Sequence, residues 1–150
     1  MRLCDDDTFN RDVEYAANFD LPWEKLQDKT LLVSGATGLI GAFLLTVIMK
    51  KNVEQGLNCK IYVLGRSRKK AMVRFAGYFK QKKFFEFLTA DVNRQLGSIN
   101  VAKVDYVIHL ASHTHPSAFA KDPIGTISAN TIGTKNMLDM CGKVCLCLVK

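Results

Sequence analysis

Thr30-Leu-Leu-Val-Ser-Gly-Ala-Thr-Gly-Leu-Ile-Gly41 decides how the rest of this chain is read. Leu31 to Ser34 is a short apolar run with the character of a buried strand. Gly35, Gly38 and Gly41 follow at spacings of three, and an apolar helical run from Leu39 to Met49 comes directly after. Glycines between a strand and a helix permit a tight turn and let backbone N–H groups approach a ligand closely. The helix N-terminus adds partial positive charge, so the unit suits a phosphate, and in this strand–turn–helix context a dinucleotide. A glycine turn can also be purely structural; the flanking strand and helix are what favour the binding reading.

The chain has 150 residues, 48% of them apolar, which suits a folded domain with a core rather than a disordered segment. No apolar run approaches the ~20 residues needed to span a bilayer. The start, Met1-Arg-Leu-Cys-Asp-Asp-Asp7, is too acidic for a secretory signal, so a cytoplasmic protein without a membrane partner is expected. Cys4, Cys59, Cys141, Cys145 and Cys147 are odd in number and irregular in spacing, which predicts free thiols and matches no zinc template. Of the 14 acidic residues, eight precede Lys29. Between Glu54 and Glu86 there is no acid, while Lys60, Arg66, Arg68, Lys69, Lys70, Arg74, Lys80, Lys82 and Lys83 are basic. That stretch is either a phosphate-attracting patch or a solvated helix face.

Residues 1–29 read as a polar extension with a short amphipathic helix over Asp12 to Phe19, a turn at Leu21-Pro22-Trp23, and Trp23 as its anchor. Residues 30–150 form the predicted binding domain. Beyond the first strand and helix, strands are predicted at Cys59–Leu64, Phe84–Thr89, Val104–Leu110 and Val144–Val149, with helices over Arg68–Phe79 and Pro123–Met140 and a polar loop over Ala111–Ser117. Strands alternating with helices imply a parallel sheet with ligands at its carboxyl edge. The predicted fold class is therefore α/β, a Rossmann-type doubly wound sheet stopping after about its fifth strand.

In that architecture Gly35, Thr37, Gly38, Leu39, Ile40 and Gly41 hold the pyrophosphate. The tip of the second strand normally carries an acid for the adenine ribose hydroxyls; this chain has Gly65-Arg66-Ser67. A guanidinium matches a phosphate better than a diol, so Arg66 favours NADP over NAD, unless it stacks on adenine instead. Asp91 and Val92 either meet the adenine ring or, through Asp91, cap the next turn. Leu110, Ala111 and Ser112 pass beside the nicotinamide-side ribose. His109 reads as a packed core histidine. His113-x-His115 lacks a third metal ligand nearby. Ser112, Thr114 and Ser117 are the loop hydroxyls closest to a ligand, and Asn130 is expected to bond backbone at the neighbouring strand, either in support of the site or simply as a helix-interface Asn satisfied within the core.

The combination of Gly35-x-x-Gly38-x-x-Gly41, His109-Leu-Ala-Ser112, Asp122-Pro123 and Asn130-Thr-Ile-Gly-Thr-Lys-Asn-Met-Leu138 resembles the extended short-chain dehydrogenase/reductase family. Within it the chain is similar to the NAD-dependent epimerases and dehydratases of nucleotide sugars. His109 to Pro123 looks most like the UDP-glucuronate decarboxylase and dTDP-glucose dehydratase branch. The likeness covers residues 28–149. It implies an NAD or NADP cofactor, a nucleotide-sugar substrate in the full-length relative, and a homodimer only at full length. The family's catalysis uses a Ser/Thr and a Tyr-x-x-x-Lys pair placed after the fifth strand. No such set follows here, and Tyr78-Phe-Lys-Gln-Lys82 lies on the wrong side of the third strand. The expectation is a cofactor-binding portion with no catalytic residue of its own. The alternative is a non-catalytic module using the 60–83 patch for nucleotide or nucleic acid.

Overall fold

The computed structural model describes residues 3–96, 99, 101, 103–112, 116–144 and 147–149. Strand β1 (Thr30–Ser34) is followed by helix α2 (Leu39–Gln55), after a first helix α1 (Asp7–Ala17) that precedes the sheet. Strand β2 (Lys60–Gly65), helix α3 (Arg68–Arg74), strand β3 (Phe85–Thr89) and strand β4 (Tyr106–His109) come next. Helices α4 (Pro116–Lys121) and α5 (Pro123–Val144) and strand β5 (Cys147–Val149) close the chain. The strands pair in the order β3-β2-β1-β4-β5, all parallel. The carboxyl ends of β1 and β4 therefore lie side by side where the chain order reverses, the position at which such sheets leave a crevice.

Strand burial follows the period of two. Leu31 and Val33 face one side with Ile61, Val63, Phe85 and Phe87, against Leu45, Ile48 and Met49 of α2 and Ala71 and Phe75 at α3. Leu32, Tyr62, Leu64 and Val107 face the other side, against Met137 and Met140 of α5. Both faces are covered, which is why these strands read as continuous apolar runs. Every buried Leu or Ile in these layers contributes roughly 1.5–3 kcal/mol.

Several element boundaries differ from the sequence reading. The first helix starts at Asp7, five residues early, because Asp6 caps it: its Oδ1 accepts from the Phe9 amide at 2.8 Å. Val13 and Ala17 of this helix pack on Val47 of α2, so the extension shares a small apolar cluster with the sheet's own helix. Lys50 bridges Glu14 and Glu54 at 2.6 and 2.5 Å, and the Glu14 carboxylate raises the lysine's pKa. Trp23 anchors the segment as expected, its Nε1 donating to the Phe19 carbonyl and Lys51 Nζ lying 4.8 Å over its ring.

Helix α3 ends at Arg74 rather than Phe79, and Tyr78–Lys80 forms a separate tight turn. The aromatic residues there turn inward as a cluster, with Phe75, Tyr78 and Phe79 all packed on Phe85, and this competes with helix continuation. The Ala111–Ser117 loop gives way to α4 from Pro116, proline suiting a first helical turn. Helix α5 continues to Val144, so β5 starts three residues later than predicted. No helix among the described residues is long and apolar enough to cross a membrane.

Candidate functional site

The turn after β1 is built by contacts that only glycine permits. Gly35 has φ +72°, and a Cβ on it would fall 2.5 Å from the Ala111 amide nitrogen and closer still to the Leu110 carbonyl. Strand β4 thus runs directly against the turn, held by the Leu110 amide donating to the Ser34 carbonyl at 3.1 Å. The Gly38 amide donates to the Gly35 carbonyl at 3.0 Å and closes the turn. Gly41 sits in the first turn of α2, where a Cβ would meet Ala36 Cα at 2.6 Å. Helix α2 starts at a glycine N-cap with no side-chain hydrogen bond, so its first amides point outward uncapped.

Beneath the turn, Ser34 and His109 are register partners on β1 and β4 and both are buried. Ser34 Oγ lies 2.5 Å from His109 Nδ1, and His109 Nε2 lies 3.4 Å from the Ala129 carbonyl of α5. A carbonyl can only accept, so Nε2 carries the proton and Ser34 donates to Nδ1. The core histidine of the sequence reading therefore ties two strands to the helix behind them. Gly133 lets α5 approach this point, with a Cβ there falling 3.1 Å from Val92 Cγ2. Asn136 Nδ2 donates to the Val92 and Arg94 carbonyls at 2.8 and 3.1 Å and fixes the loop after β3.

These loops enclose a crevice of about 1160 Å³. Gly35, Thr37, Gly38, Leu39, Ile40, Gly41, Arg66, Asp91, Val92, Leu110, Ala111 and Ser112 all line it, so the structure brings these twelve sequence-selected residues to one place. Ser67, Lys69, Lys70, Arg74, Asn93, Asp122 and Ala129 line it too and were not selected. The helical composition of Arg68–Phe79 predicted a helix but not the side that faces the crevice. Arg66, Lys69, Lys70 and Arg74 form no ion pair among the described residues. Arg68 turns away, donating to the Phe87 carbonyl at 3.5 Å with its guanidinium 5.3 Å over Phe79.

Asp91 does make the turn cap weighed for it: Oδ1 accepts from the Asn93 amide at 3.0 Å. Asp122 Oδ1 accepts from the Gly125 amide at 2.8 Å and so opens α5. Asn130 departs from expectation. Its Nδ2 donates to Ser112 Oγ at 3.1 Å and to the Thr126 carbonyl of its own helix at 2.8 Å, because this part of α5 lies beside the loop after β4 rather than beside strand backbone. Ser117 belongs to α4 and does not line the crevice. Thr114, His113 and His115 lie outside the described residues, and no group of three metal-ligating side chains occurs among those described. Tyr78 precedes β3 and packs on Phe85 at that strand's amino end, and it does not line the crevice at the carboxyl ends. Cys59 is buried beside Asp105; burial first, then that carboxylate, push its thiol up to about 12.

Comparison with known proteins places this geometry. The model of the NAD dependent epimerase/dehydratase family matches residues 31–146. UDP-glucuronic acid decarboxylase 5 of Arabidopsis thaliana is 30% identical over 114 residues, covering 76% of this chain and 30% of that protein. UDP-glucose 4-epimerase of Rickettsia typhi is 32% identical over 114 residues, covering 74% and 32%. Among solved structures, the dTDP-glucose 4,6-dehydratase DesIV of Streptomyces venezuelae, with NAD bound, shares the fold at TM-score 0.60 and 18% identity, covering 76% of this chain and 36% of that one. A UDP-glucuronic acid 4-epimerase from Bacillus cereus, also with NAD, gives 0.61 at 20% identity, covering 77% and 37%. The chain thus spans about a third of the length of these relatives. With the family model matched from β1 through α5, the chain belongs to the NAD dependent epimerase/dehydratase family.

Proposed function

We propose that the crevice binds a nicotinamide dinucleotide, with NADP favoured over NAD, and that residues 30–150 are the coenzyme-binding portion of an enzyme acting on a nucleotide sugar. One observation carries the reading: Gly35, at φ +72° and packed on the Leu110–Ala111 backbone, sets an uncapped helix N-terminus at the switch point of the sheet. A side chain at Gly35 or Gly41 would collide with the backbone of Leu110–Ala111 or of Gly35–Ala36 and spoil the turn that presents the helix N-terminus, and that uncapped terminus fits a pyrophosphate. The first amides of α2 would hold it, and Leu110, Ala111 and Ser112 would flank the nicotinamide half. Arg66, with Lys69 and Lys70 beside it, would take a phosphate on the adenosine ribose. The coenzyme would supply reversible hydride transfer.

Binding without turnover is expected of this chain. Its one Tyr-x-x-x-Lys sequence, Tyr78 to Lys82, precedes β3 and packs through Tyr78 on Phe85 at that strand's amino end, whereas the crevice lies at the carboxyl ends. The test is titration of the chain with NADPH, NADH and a short oligonucleotide across a range of salt. Dinucleotide binding with a shallow salt slope supports the proposal. No heat or fluorescence change with either dinucleotide from folded material refutes it. The free cations at the crevice rim favour one second reading, a non-catalytic nucleotide or nucleic-acid module; steeply salt-dependent oligonucleotide binding with indifference to dinucleotide would select it.

A further inference from the structure

Helix α5 meets the loop after β3 at two points. Gly133 brings the helix backbone so near that a Cβ there would fall 3.1 Å from Val92 Cγ2. One turn further on, Asn136 reaches the same loop, its Nδ2 donating to the Val92 carbonyl at 2.8 Å and to the Arg94 carbonyl at 3.1 Å. Asn136 does not itself line the crevice, whereas Asp91, Val92 and Asn93 do.

The link between them passes through one peptide plane. The Val92 carbonyl and the Asn93 N–H belong to the same trans peptide and point in opposite directions. With the carbonyl drawn to α5, the Asn93 N–H is turned away from that helix, and there Asp91 Oδ1 accepts it at 3.0 Å. That bond takes one oxygen of the Asp91 carboxylate and orients the group. Asp91 Oδ2 accepts from no group among the described residues.

We infer that Asn136 is a positioning residue for the adenine end of the coenzyme, acting through Asp91, whose second oxygen selects a base that bears an exocyclic amino group. The inference rests on the dinucleotide reading. An ionised carboxylate only accepts hydrogen bonds. It therefore favours the adenine amino group and repels the carbonyl oxygen that hypoxanthine carries in its place. A bond from Asn93 to Asp91 that served only as a turn cap would give no preference between the two bases.

The test is fluorescence titration of the full chain with NADPH and with deamino-NADPH, in which hypoxanthine replaces adenine. The unaltered chain should prefer NADPH by about tenfold or more, the worth of one hydrogen bond to a charged group. Asn136→Ala releases the Val92 peptide to turn and carry Asp91 with it, and should cut the preference to about threefold or less. A merely structural role would weaken both coenzymes together and leave their ratio alone. Should the alanine variant not fold, Asn136→Ser serves in its place with the same expectation. NADPH binding without preference in the unaltered chain, or a preference untouched by the variants, would overturn the inference and leave the dinucleotide reading standing. Failure of the folded chain to bind either coenzyme would overturn both.

Discussion

Replacing Gly35 by alanine tests the feature on which the crevice depends, and Gly56 supplies its control. Both have positive φ, +72° and +63°, so alanine at either incurs a left-handed backbone cost of about 1–2 kcal/mol. Stiffening of the unfolded chain returns roughly 0.4–1 kcal/mol of that. At Gly56 nothing lies within 4 Å of the added methyl, so the net loss should stay near 1 kcal/mol. At Gly35 the methyl would sit 2.5 Å from the Ala111 nitrogen, where an ordinary contact is about 3.5–4.0 Å. Backbone cannot rotate away as a flexible side chain can, so β4 or the turn must shift by about 1 Å, an overpacking cost of roughly 1–3 kcal/mol. Gly35→Ala should therefore lose about 2–4 kcal/mol, a fall in Tm of roughly 5–15 °C, against a few degrees for Gly56→Ala. Thermal and urea unfolding followed by circular dichroism give both numbers. Equal losses for the two variants would show that β4 does not approach the turn this closely, and the cradle argument would fall.

Other expectations follow from single contacts. Arg66→Asp should weaken NADPH by about tenfold or more and NADH much less, because a ribose phosphate loses a cation and gains a repelled neighbour; equal effects on calorimetric titration would remove the NADP preference. Asp105 Oδ2 accepts from the Thr30 amide at 2.8 Å, and that bond first, then Lys103 and Lys29, hold its carboxyl below the usual range. Its contribution is present above the unfolded-state pKa of about 4 and fades as pH falls through the lower folded value. Asp105→Asn should flatten the acid limb of urea stability, and an unchanged limb would refute the assignment. Asn52 clasps Cys59 from both sides, its Oδ1 accepting from the Cys59 amide at 2.8 Å and its Nδ2 donating to the carbonyl at 2.7 Å. Asn52→Ala leaves two buried backbone groups unpaired and should cost about 2–4 kcal/mol of unfolding free energy. The Cys59 thiol, raised to about 12, should resist alkylation at mildly alkaline pH until urea unfolds the chain. Modification of the folded protein at Cys59, mapped by mass spectrometry, would contradict its burial.

Residues 30–41 fixed the strand, the turn and the helix by local chemistry alone: apolar Leu31–Val33, glycines where a methyl would collide, then an apolar run with no breaker before Gly56. Alternation of apolar strands with helices then implied a parallel sheet, and hence that loops distant in sequence meet at its carboxyl edge. What sequence could not supply was rotation and reach. Whether Lys69, Lys70 and Arg74 border the crevice while Arg68 turns to Phe79 depends on how α3 is rolled against the sheet, which Ala71 and Phe75 set by packing. The bond from Asn130 to Ser112, and the chain from Ser34 through His109 to Ala129, join positions 18, 20 and 75 apart in sequence. Local propensity carries no term for such pairs; at Ser34 and His109 close packing of α5 on β4 leaves the buried polar atoms only one another, while the exposed Asn130–Ser112 bond depends on where α5 meets the loop after β4.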